Sequence, residues 1–334
     1  MNFSQCVNLL EQQPSERLER PIESALAWTN DSISPDDCTL PLSTAALGEL
    51  EQVVDALRRE PLPTYLLSPD FFQLSACRSL MGEVRRRLTE GLGFVLLEGF
   101  PLDGLSQEET RAAYWVLGRL LSQPVAAKLD GTVLYDVRDM GRAYGIGVRA
   151  SLTSTELEFH TDNTFAAAPP DYVSLLCIQP AHAGGESRIA SFCTLHNELL
   201  GAYPRLLERL YEPFYYDRQL EHGEGEPRVS ISRAFSYNGE FLRGRLSYNV
   251  MKQGYQLMGE EMDAQGREAL DKAYALLNEP RHWTSHTLRR GQIQFLNNRA
   301  TAHARTAFDD AGASSGRHLL RLWYRDEGRP FFNG

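Results

Sequence analysis

His160-Thr-Asp162 is followed by the apolar run Asp171-Tyr-Val-Ser-Leu-Leu-Cys-Ile178, and these two segments decide the expected fold. The run is rich in β-forming residues and is bounded by prolines, which predicts a buried strand. In an extended segment residues i and i+2 point the same way, so His160 and Asp162 can reach one ion from one side. The pair therefore predicts two ligands of a metal site.

A third ligand, His303, is expected from the segment Arg299-Ala-Thr-Ala-His-Ala-Arg305, which leaves a strand predicted over residues 291–298. Two histidines and one carboxylate can occupy one face of an octahedral iron, which is the ligand set of non-haem Fe(II) oxygenases. Chance is the alternative, because one His-x-Asp is common in a chain with 8 histidines and 44 acidic residues. The His160–Asp162 pair indicates a metal site only in combination with His303 and the later Arg317.

The remaining histidines are less well placed. His318 adjoins Arg317 on an alternating stretch and is not expected to contact the metal. The others lie in loops, surface helix patterns or a charged strand and are expected to be ordinary side chains: His182, His196, His222, His282 and His286.

Four motifs in order resemble the Fe(II)/2-oxoglutarate-dependent dioxygenases of the taurine dioxygenase and clavaminate synthase-like group. They are His160-Thr-Asp162, Gly184-Gly-Glu-Ser187, Asn297-Asn-Arg-Ala-Thr-Ala-His-Ala-Arg305 and Arg317-His-Leu-Leu-Arg321. The resemblance implies that His160, Asp162 and His303 bind Fe(II), and that Arg317 pairs with the distal carboxylate of 2-oxoglutarate. A planar guanidinium suits that task because it presents paired donors and stays charged.

Two further residues have two interpretations each, and a third is expected to be structural. By the same resemblance the Ser187 hydroxyl helps to hold the cosubstrate carboxylate, but it is also a turn residue after Gly-Gly. Arg321 shares a strand face with Arg317 and implies an anchor for an acidic substrate group, or else a salt bridge at the rim of the barrel. Arg305 is more plausibly a residue that steadies the loop around His303.

The resemblance implies hydroxylation of an unactivated C–H bond, with O2 and 2-oxoglutarate as cosubstrates and succinate and CO2 as products. Related halogenases replace the carboxylate ligand with a small residue, so the retained Asp162 favours hydroxylation. The expected substrate is a small polar metabolite, such as a free amino acid or a derivative. Oxidative desaturation, and tailoring of a natural-product or carrier-bound substrate, are the alternatives.

Two other classes of protein fit part of the pattern. A zinc hydrolase could use the same His, Asp and His ligands to activate water, but it has no need of Arg317. A non-catalytic jelly-roll binding protein would have no need of His160. The joint presence of the four motifs favours the oxygenase over both.

The composition of the chain limits the classes of binding partner that are expected. The net charge of −10 and the pI of about 5.4 disfavour nucleic acid, whose phosphates favour clustered Lys and Arg. The chain shows neither a long apolar run nor a signal-peptide pattern, so a cytoplasmic enzyme without a membrane partner is expected. Its five cysteines form no C-x-x-C pair. The expected partner is a small-molecule substrate, and a homodimer is plausible.

The expected fold is mixed α/β, with a double-stranded β-helix (jelly-roll) core and flanking helices. Residues 1–90 are expected to form an N-terminal extension and helices packed on the core, and residues 91–334 the jelly-roll oxygenase domain, together as one structural unit. Residues 1–40 should wrap the surface, and residues 130–154 form either a substrate lid or a plain loop. Helices are predicted over 44–59, 69–92, 106–121, 192–212 (divided at 203–204) and 260–277; strands over 93–98, 171–178, 283–286, 291–298 and 318–325; and a hairpin at 238–239.

Overall fold

The computed structural model describes residues 5–14, 16–141, 152–310 and 316–333, and this part of the chain is a mixed α/β fold. The α-helices of that part are α1 Pro35–Cys38, α2 Thr44–Arg59, α3 Ser75–Thr89, α4 Gln107–Arg119, α5 Phe192–Ala202, α6 Pro204–Leu210, α7 Tyr248–Met258 and α8 Ala264–Leu277. Its strands are β1 Val7–Asn8, β2 Thr39–Pro41, β3 Phe94–Glu98, β4 Gln123–Val125, β5 Tyr135–Arg138, β6 Leu157–His160, β7 Tyr172–Gln179, β8 Ala183–Gly184, β9 Ser187–Ser191, β10 Pro213–Asp217, β11 Val229–Arg233, β12 Phe235–Tyr237, β13 Leu242–Gly244, β14 Trp283–His286, β15 Ile293–Asn297, β16 Thr301–Arg305, β17 Phe308–Asp309 and β18 His318–Arg325.

The largest sheet has seven strands in the order β2-β3-β15-β7-β18-β4, and β5 also pairs with β18. The apolar run predicted as a strand becomes β7, which lies between β15 and β18. Both of its neighbours run antiparallel to it. The strands predicted near residues 93, 291 and 318 therefore assemble around β7, as their apolar patterns require.

A four-stranded sheet in the order β14-β9-β16-β6 carries the candidate histidines. Strands β6 and β16 are antiparallel, with His160 opposite His303 and a register shift between His303 and Arg305. The segment 299–305 was expected only to leave a strand, but its residues 301–305 form a strand of their own. This pairing brings together two histidines that are far apart in the sequence.

The two faces of the seven-stranded sheet are covered differently. One face packs against α2, α3 and α4 in an apolar cluster that includes Val53, Met81, Phe295 and Leu322. The other face contributes Val173, Leu319 and Trp323 to a second cluster, which also contains residues of the four-stranded sheet and of α5 to α8. Strands β6 and β16, which carry His160 and His303, lie on this second side, since Phe159 and Ala302 belong to the second cluster.

Most predicted helices are confirmed, but the helix predicted over 69–92 is shorter. Residues Pro69–Phe71 form a separate 3-10 turn, and α3 begins only at Ser75. The reason is a cap supplied by another helix: the Glu49 carboxylate of α2 accepts the backbone N–H groups of Ala76 and Cys77, each at 2.8 Å. Free N–H groups at a helix start need such acceptors, and here the acceptor is not local in sequence.

The N-terminal segment does more than wrap the surface. Leu9 and Trp28 are buried, and the Trp28 indole N–H donates to the Leu92 carbonyl at 2.8 Å. Strand β1 also pairs in parallel with β11. These long-range contacts explain why residues with little local periodicity are nevertheless part of the core. In the described residues, no helix is both long and apolar enough to span a membrane.

Candidate metal centre

The side chains of His160, Asp162 and His303 converge at the end of β6. One ligand atom from each lies within 4.8 Å of the others. The Asp162 Oδ1 atom is 3.5 Å from Nε2 of His160 and 3.7 Å from Nε2 of His303, and the two imidazole centroids are 4.2 Å apart. Two nitrogens and one oxygen therefore point toward a common centre from one side, as the ligand set of a facial triad requires.

The second oxygen of Asp162 is held by the seven-stranded sheet. Oδ2 accepts the Trp323 indole N–H at 2.6 Å and the Arg321 guanidinium N–H at 3.2 Å. Asp162 follows β6 of one sheet, whereas Arg321 and Trp323 belong to β18 of the other, so the carboxylate bridges the two sheets. This arrangement turns Oδ1 toward the histidines and fixes its orientation.

The hydrogen bonds and the burial of these groups suit metal ligation. Nδ1 of His160 lies 2.9 Å from the Glu158 carbonyl oxygen, which can only accept, so Nδ1 carries a proton and Nε2 is the nitrogen that faces Asp162. Burial, with repulsion from His160, lowers the pKa of His303 and favours the neutral imidazole. Burial alone would raise the pKa of Asp162, but Arg321 and the two histidines outweigh it and hold that pKa well below its ordinary value.

The backbone around Asp162 is fixed by Asn298, which precedes β16. The Asn298 Oδ1 atom accepts the Asp162 N–H at 2.8 Å, and its Nδ2 donates to the Asp162 carbonyl at 3.0 Å and to the Pro170 carbonyl at 3.1 Å. Asn298 is 1% exposed. A buried and fully bonded amide thus ties the metal motif to the strand segment that carries the second histidine.

Arg317 lies beside the double-glycine turn that the sequence singled out. Its guanidinium carbon is 5.2 Å from the centroid of the Phe308 ring. Gly185 has a φ of +70°, and a Cβ built on it would be only 3.3 Å from Nε of Arg317. The glycine therefore makes room for the guanidinium. Burial lowers the pKa of Arg317, so its surroundings do not fully compensate the charge.

Arg305 is a second cation next to Arg317. Its guanidinium carbon lies 4.7 Å from the same Phe308 ring, and one of its nitrogens donates to the carbonyls of Thr153, at 3.0 Å, and Thr155. Burial and repulsion from Arg317 lower the pKa of Arg305 to about 10. Arg305 thus holds the segment just before β6, as expected of a residue that steadies the loop. Ser187 is buried and lies directly across from Arg305 in the sheet.

Several predicted roles can be compared with these positions. Arg321 is paired with Asp162 and also packs over the Tyr135 ring, so its predicted substrate contact stays a prediction. His318 bonds to the Asp136 carboxylate at 2.7 Å instead of joining the cluster. Within residues 130–154, expected to form a lid or a plain loop, Tyr135–Arg138 form β5 and pair with β18, and residues 142–151 lie outside the described residues. Four of the five remaining histidines bond to other oxygens: His196, His222, His282 and His286.

Sequence reasoning missed Trp323 and Asn298. Trp323 had a usable signal, since it lies two residues after Arg321 and so on the same strand face. Asn298 had none, because its partner Asp162 is 136 residues away and nothing local distinguishes it from the adjacent Asn297.

Comparisons with known proteins identify a family to which the chain is similar. A family model described as taurine catabolism dioxygenase TauD, TfdA family, matches residues 59–323. FR-33289 synthase from Streptomyces rubellomurinus is 28% identical over 324 residues, which cover 95% of this chain and 94% of that protein. Taurine hydroxylase-like protein SAT17 from Stachybotrys chartarum is 25% identical over 332 residues, covering 95% and 83% of the two chains.

Solved structures with a similar fold are non-haem iron oxygenases. Asparagine oxygenase, solved with Fe(II), 2S,3S-3-hydroxyasparagine and succinate, has a TM-score of 0.65 at 21% identity, covering 86% of this chain and 93% of its own. OrfP, solved with Fe and alpha-ketoglutaric acid, has a TM-score of 0.63 at 16% identity, covering 86% and 94%. At such identities the likeness concerns the fold. Because the family model spans most of the chain, including both segments that supply the metal-site side chains, the chain belongs to the TauD/TfdA dioxygenase family.

Proposed function

We propose that this protein hydroxylates an unactivated C–H bond of a small polar metabolite, such as a free amino acid or a derivative, releasing succinate and CO2. The protein is an Fe(II)/2-oxoglutarate-dependent dioxygenase of its family. The observation that carries the proposal is the convergence of Nε2 of His160 and of His303 on Oδ1 of Asp162, at 3.5 and 3.7 Å. These three atoms are proposed to hold Fe(II).

The residues present suit such an ion. Burial favours the neutral imidazole of His303, and the carboxylate of Asp162 is kept ionised by Arg321 and the histidines. When bound, the iron and 2-oxoglutarate supply the oxidising chemistry with dioxygen. The chain's part is to orient: Trp323 and Arg321 fix the carboxylate, and the Glu158 carbonyl fixes the His160 ring.

Arg317 is proposed to bind the distal carboxylate of 2-oxoglutarate. Support comes from its under-compensated positive charge, from the second guanidinium, that of Arg305, beside the same Phe308 ring, and from the space that Gly185 leaves open. A buried cation is stabilised by an anionic partner, and a guanidinium can donate two parallel bonds to a carboxylate. Ser187 is proposed to add a hydroxyl contact to the same group.

Finer features of the fold are part of the proposal. The two sheets that Asp162 bridges are proposed to form a double-stranded β-helix. Residues 1–90 and 91–334 are proposed to form one structural unit, which the parallel pairing of β2 with β3 supports. The homodimer, the small-molecule partner and the cytoplasmic location stay predictions.

Anaerobic optical titration with Fe(II) and 2-oxoglutarate tests the central claim. We expect a weak visible charge-transfer band in the wild type and a weakened band in Arg317→Ala. Arg289→Ala is the control, because Arg289 is an exposed arginine paired with Glu98 and should leave the band unchanged. A wild type that binds iron without giving the band would overturn the claim and favour the hydrolase alternative.

A panel of free amino acids tests the substrate class. Substrate-stimulated succinate release is expected with at least one of them. Stimulation only by carrier-bound aminoacyl groups would move the assignment to the tailoring alternative, and efficient chloride transfer would contradict hydroxylation.

A further inference from the structure

A small cavity lies on the side of β18 that packs against the helices. His318 and Leu320 of β18 line it, together with Thr110 and Arg111 of α4 and Arg290 of the turn before β15. None of its described lining residues belongs to the metal centre. Its volume is about 180 Å³, whereas cavities for larger organic ligands measure about 300–1,000 Å³. The cavity therefore has room for an ion or molecule of a few non-hydrogen atoms.

The side chains that line this cavity make it positively charged. Its ionisable lining residues in the described part of the chain are all basic: Arg111, Arg290 and His318. Two carboxylates lie next to them without lining the cavity. Asp136 accepts two hydrogen bonds from Nη2 of Arg111, both at 2.7 Å, and Asp103 accepts one from Nη2 of Arg290 at 3.3 Å. Asp103 is 98% exposed, so solvent screens its attraction for Arg290.

His318 brings a third guanidinium group close to the cavity wall. Its Nε2 bonds to Asp136 at 2.7 Å, and its Nδ1 lies 2.9 Å from Nη2 of Arg138, which can only donate. Both ring nitrogens are thus used within the protein, which leaves ligand binding to the guanidinium groups. The three guanidinium groups of Arg111, Arg138 and Arg290 are balanced by only two carboxylates. An anion is the ligand that would compensate the excess positive charge.

Arg111 and Arg290 keep N–H groups that no described residue uses. Arg111 makes its hydrogen bonds through Nη2 alone, and Arg290 uses Nη2 and also Nη1, which donates to the Ile178 carbonyl at 2.8 Å. In both side chains Nε has no hydrogen-bond partner among the described residues. The Thr110 hydroxyl and the Gln107 amide line the same cavity and offer neutral donors. Guanidinium groups suit the oxygens of carboxylates and phosphates, because they present paired donors.

We propose that this cavity binds a small oxyanion, with Arg111 and Arg290 as its charged donors. Inorganic phosphate and a short dicarboxylate such as succinate share the chemistry that these two groups recognise. The site does not depend on the proposed function. Arg317, the proposed cosubstrate ligand, precedes His318 in the chain but is not among the residues that line the cavity.

Isothermal titration calorimetry of the full-length protein tests the site, with sodium phosphate and sodium succinate titrated separately at constant ionic strength. We expect at least one of them to bind the wild type, and the one that binds identifies the ligand. Arg290→Gln should weaken its Kd at least about tenfold, because a charge-assisted hydrogen bond is lost. Leu105 is part of the cavity wall, so Leu105→Trp fills the space but keeps both charges, and it should weaken the Kd by at least as much.

Two further variants are the controls. Arg289→Gln changes the neighbouring arginine, whose side chain is 73% exposed, pairs with Glu98 and does not line the cavity, so it should bind the anion like the wild type. Arg317→Ala, at the proposed cosubstrate site, should also bind like the wild type. Binding of neither anion, equal weakening in Arg289→Gln and Arg290→Gln, unchanged binding in Leu105→Trp, or a loss confined to Arg317→Ala would overturn the anion site. The Fe(II)–2-oxoglutarate optical band tests the proposed function separately.

Discussion

The two faces of strand β18 carry opposite kinds of side chain. Leu320, Leu322 and Tyr324 face α2 to α4 in an apolar cluster. Arg321 and Trp323 alternate with them and reach Asp162 on the other side. One strand thus supports the core with every second residue and the metal centre with the others. Because successive side chains point to opposite faces, stability and chemistry can be changed separately along the same eight residues.

The largest expected effect is on activity, and it concerns Asp162, which the second face of β18 contacts through Arg321 and Trp323. Asp162→Ala removes the only carboxylate from the cluster of His160, Asp162 and His303, and it breaks the ion pair with Arg321. We expect at least a ~10³-fold loss of substrate-stimulated succinate formation, equivalent to about 4 kcal/mol. Steady-state turnover measures it, with Asp55→Ala, an exposed helix carboxylate, as the control. Activity within tenfold of wild type would remove Asp162 from the site.

Substitutions on the face of β18 that packs against α2 to α4 should change the stability of the fold and leave the activity unchanged. Leu322 is fully buried against the helices, and Leu322→Ala should lower the free energy of unfolding by about 2–5 kcal/mol. Urea unfolding gives this value, and Leu66→Ala, whose leucine is 64% exposed, should change it little. The kcat/KM of the folded variant should stay near wild type. A large fall in kcat/KM would mean that the two faces are coupled.

A smaller effect on activity is expected near Arg317, the residue before β18. Gly185→Ala adds a Cβ that would lie 3.3 Å from Nε of Arg317, at a φ of +70°. We expect the KM for 2-oxoglutarate to rise about tenfold, or about 1.4 kcal/mol. Gly225→Ala carries the same left-handed strain with nothing within 4 Å, so it should lose stability without any change in KM. Equal KM values for the two variants would separate Gly185 from the cosubstrate.

The smallest effect is on stability, and it concerns the start of β18, where His318 and Arg111 contact the Asp136 carboxylate. Burial opposes ionisation of Asp136, but these two partners lower its pKa to about 2. A lowered pKa stabilises the folded state above the unfolded value of about 3.9, and this contribution is lost as the pH falls through about 2. The carboxylate is 38% exposed, so screening limits the contribution to under about 1 kcal/mol. The unfolding free energies of wild type and Asp136→Asn should differ at pH 6 and converge as the pH falls toward about 2. A difference that widens with acidity would contradict this assignment.

Local patterns predicted many of the elements well. Helix α2 has the predicted bounds 44–59, and the Ser43 side chain caps it. The predicted capping box at Ser106 is present at the start of α4, and α5 and α6 divide at Tyr203 as expected. Apolar spacing and caps are properties of a few neighbouring residues, so they can be recognised without the fold. Helix α7 was missed, and α3 was predicted too long because its cap comes from Glu49.

The sequence by itself determined the candidate ligands, the order of the motifs and the alternation of β18, since residue type and spacing carry that information. Only the tertiary structure decided what surrounds Asp162. Trp323 is 161 residues from Asp162 in the sequence, and Asn298 is 136 residues from it. A local sequence pattern cannot predict contacts between residues that are so far apart in the chain.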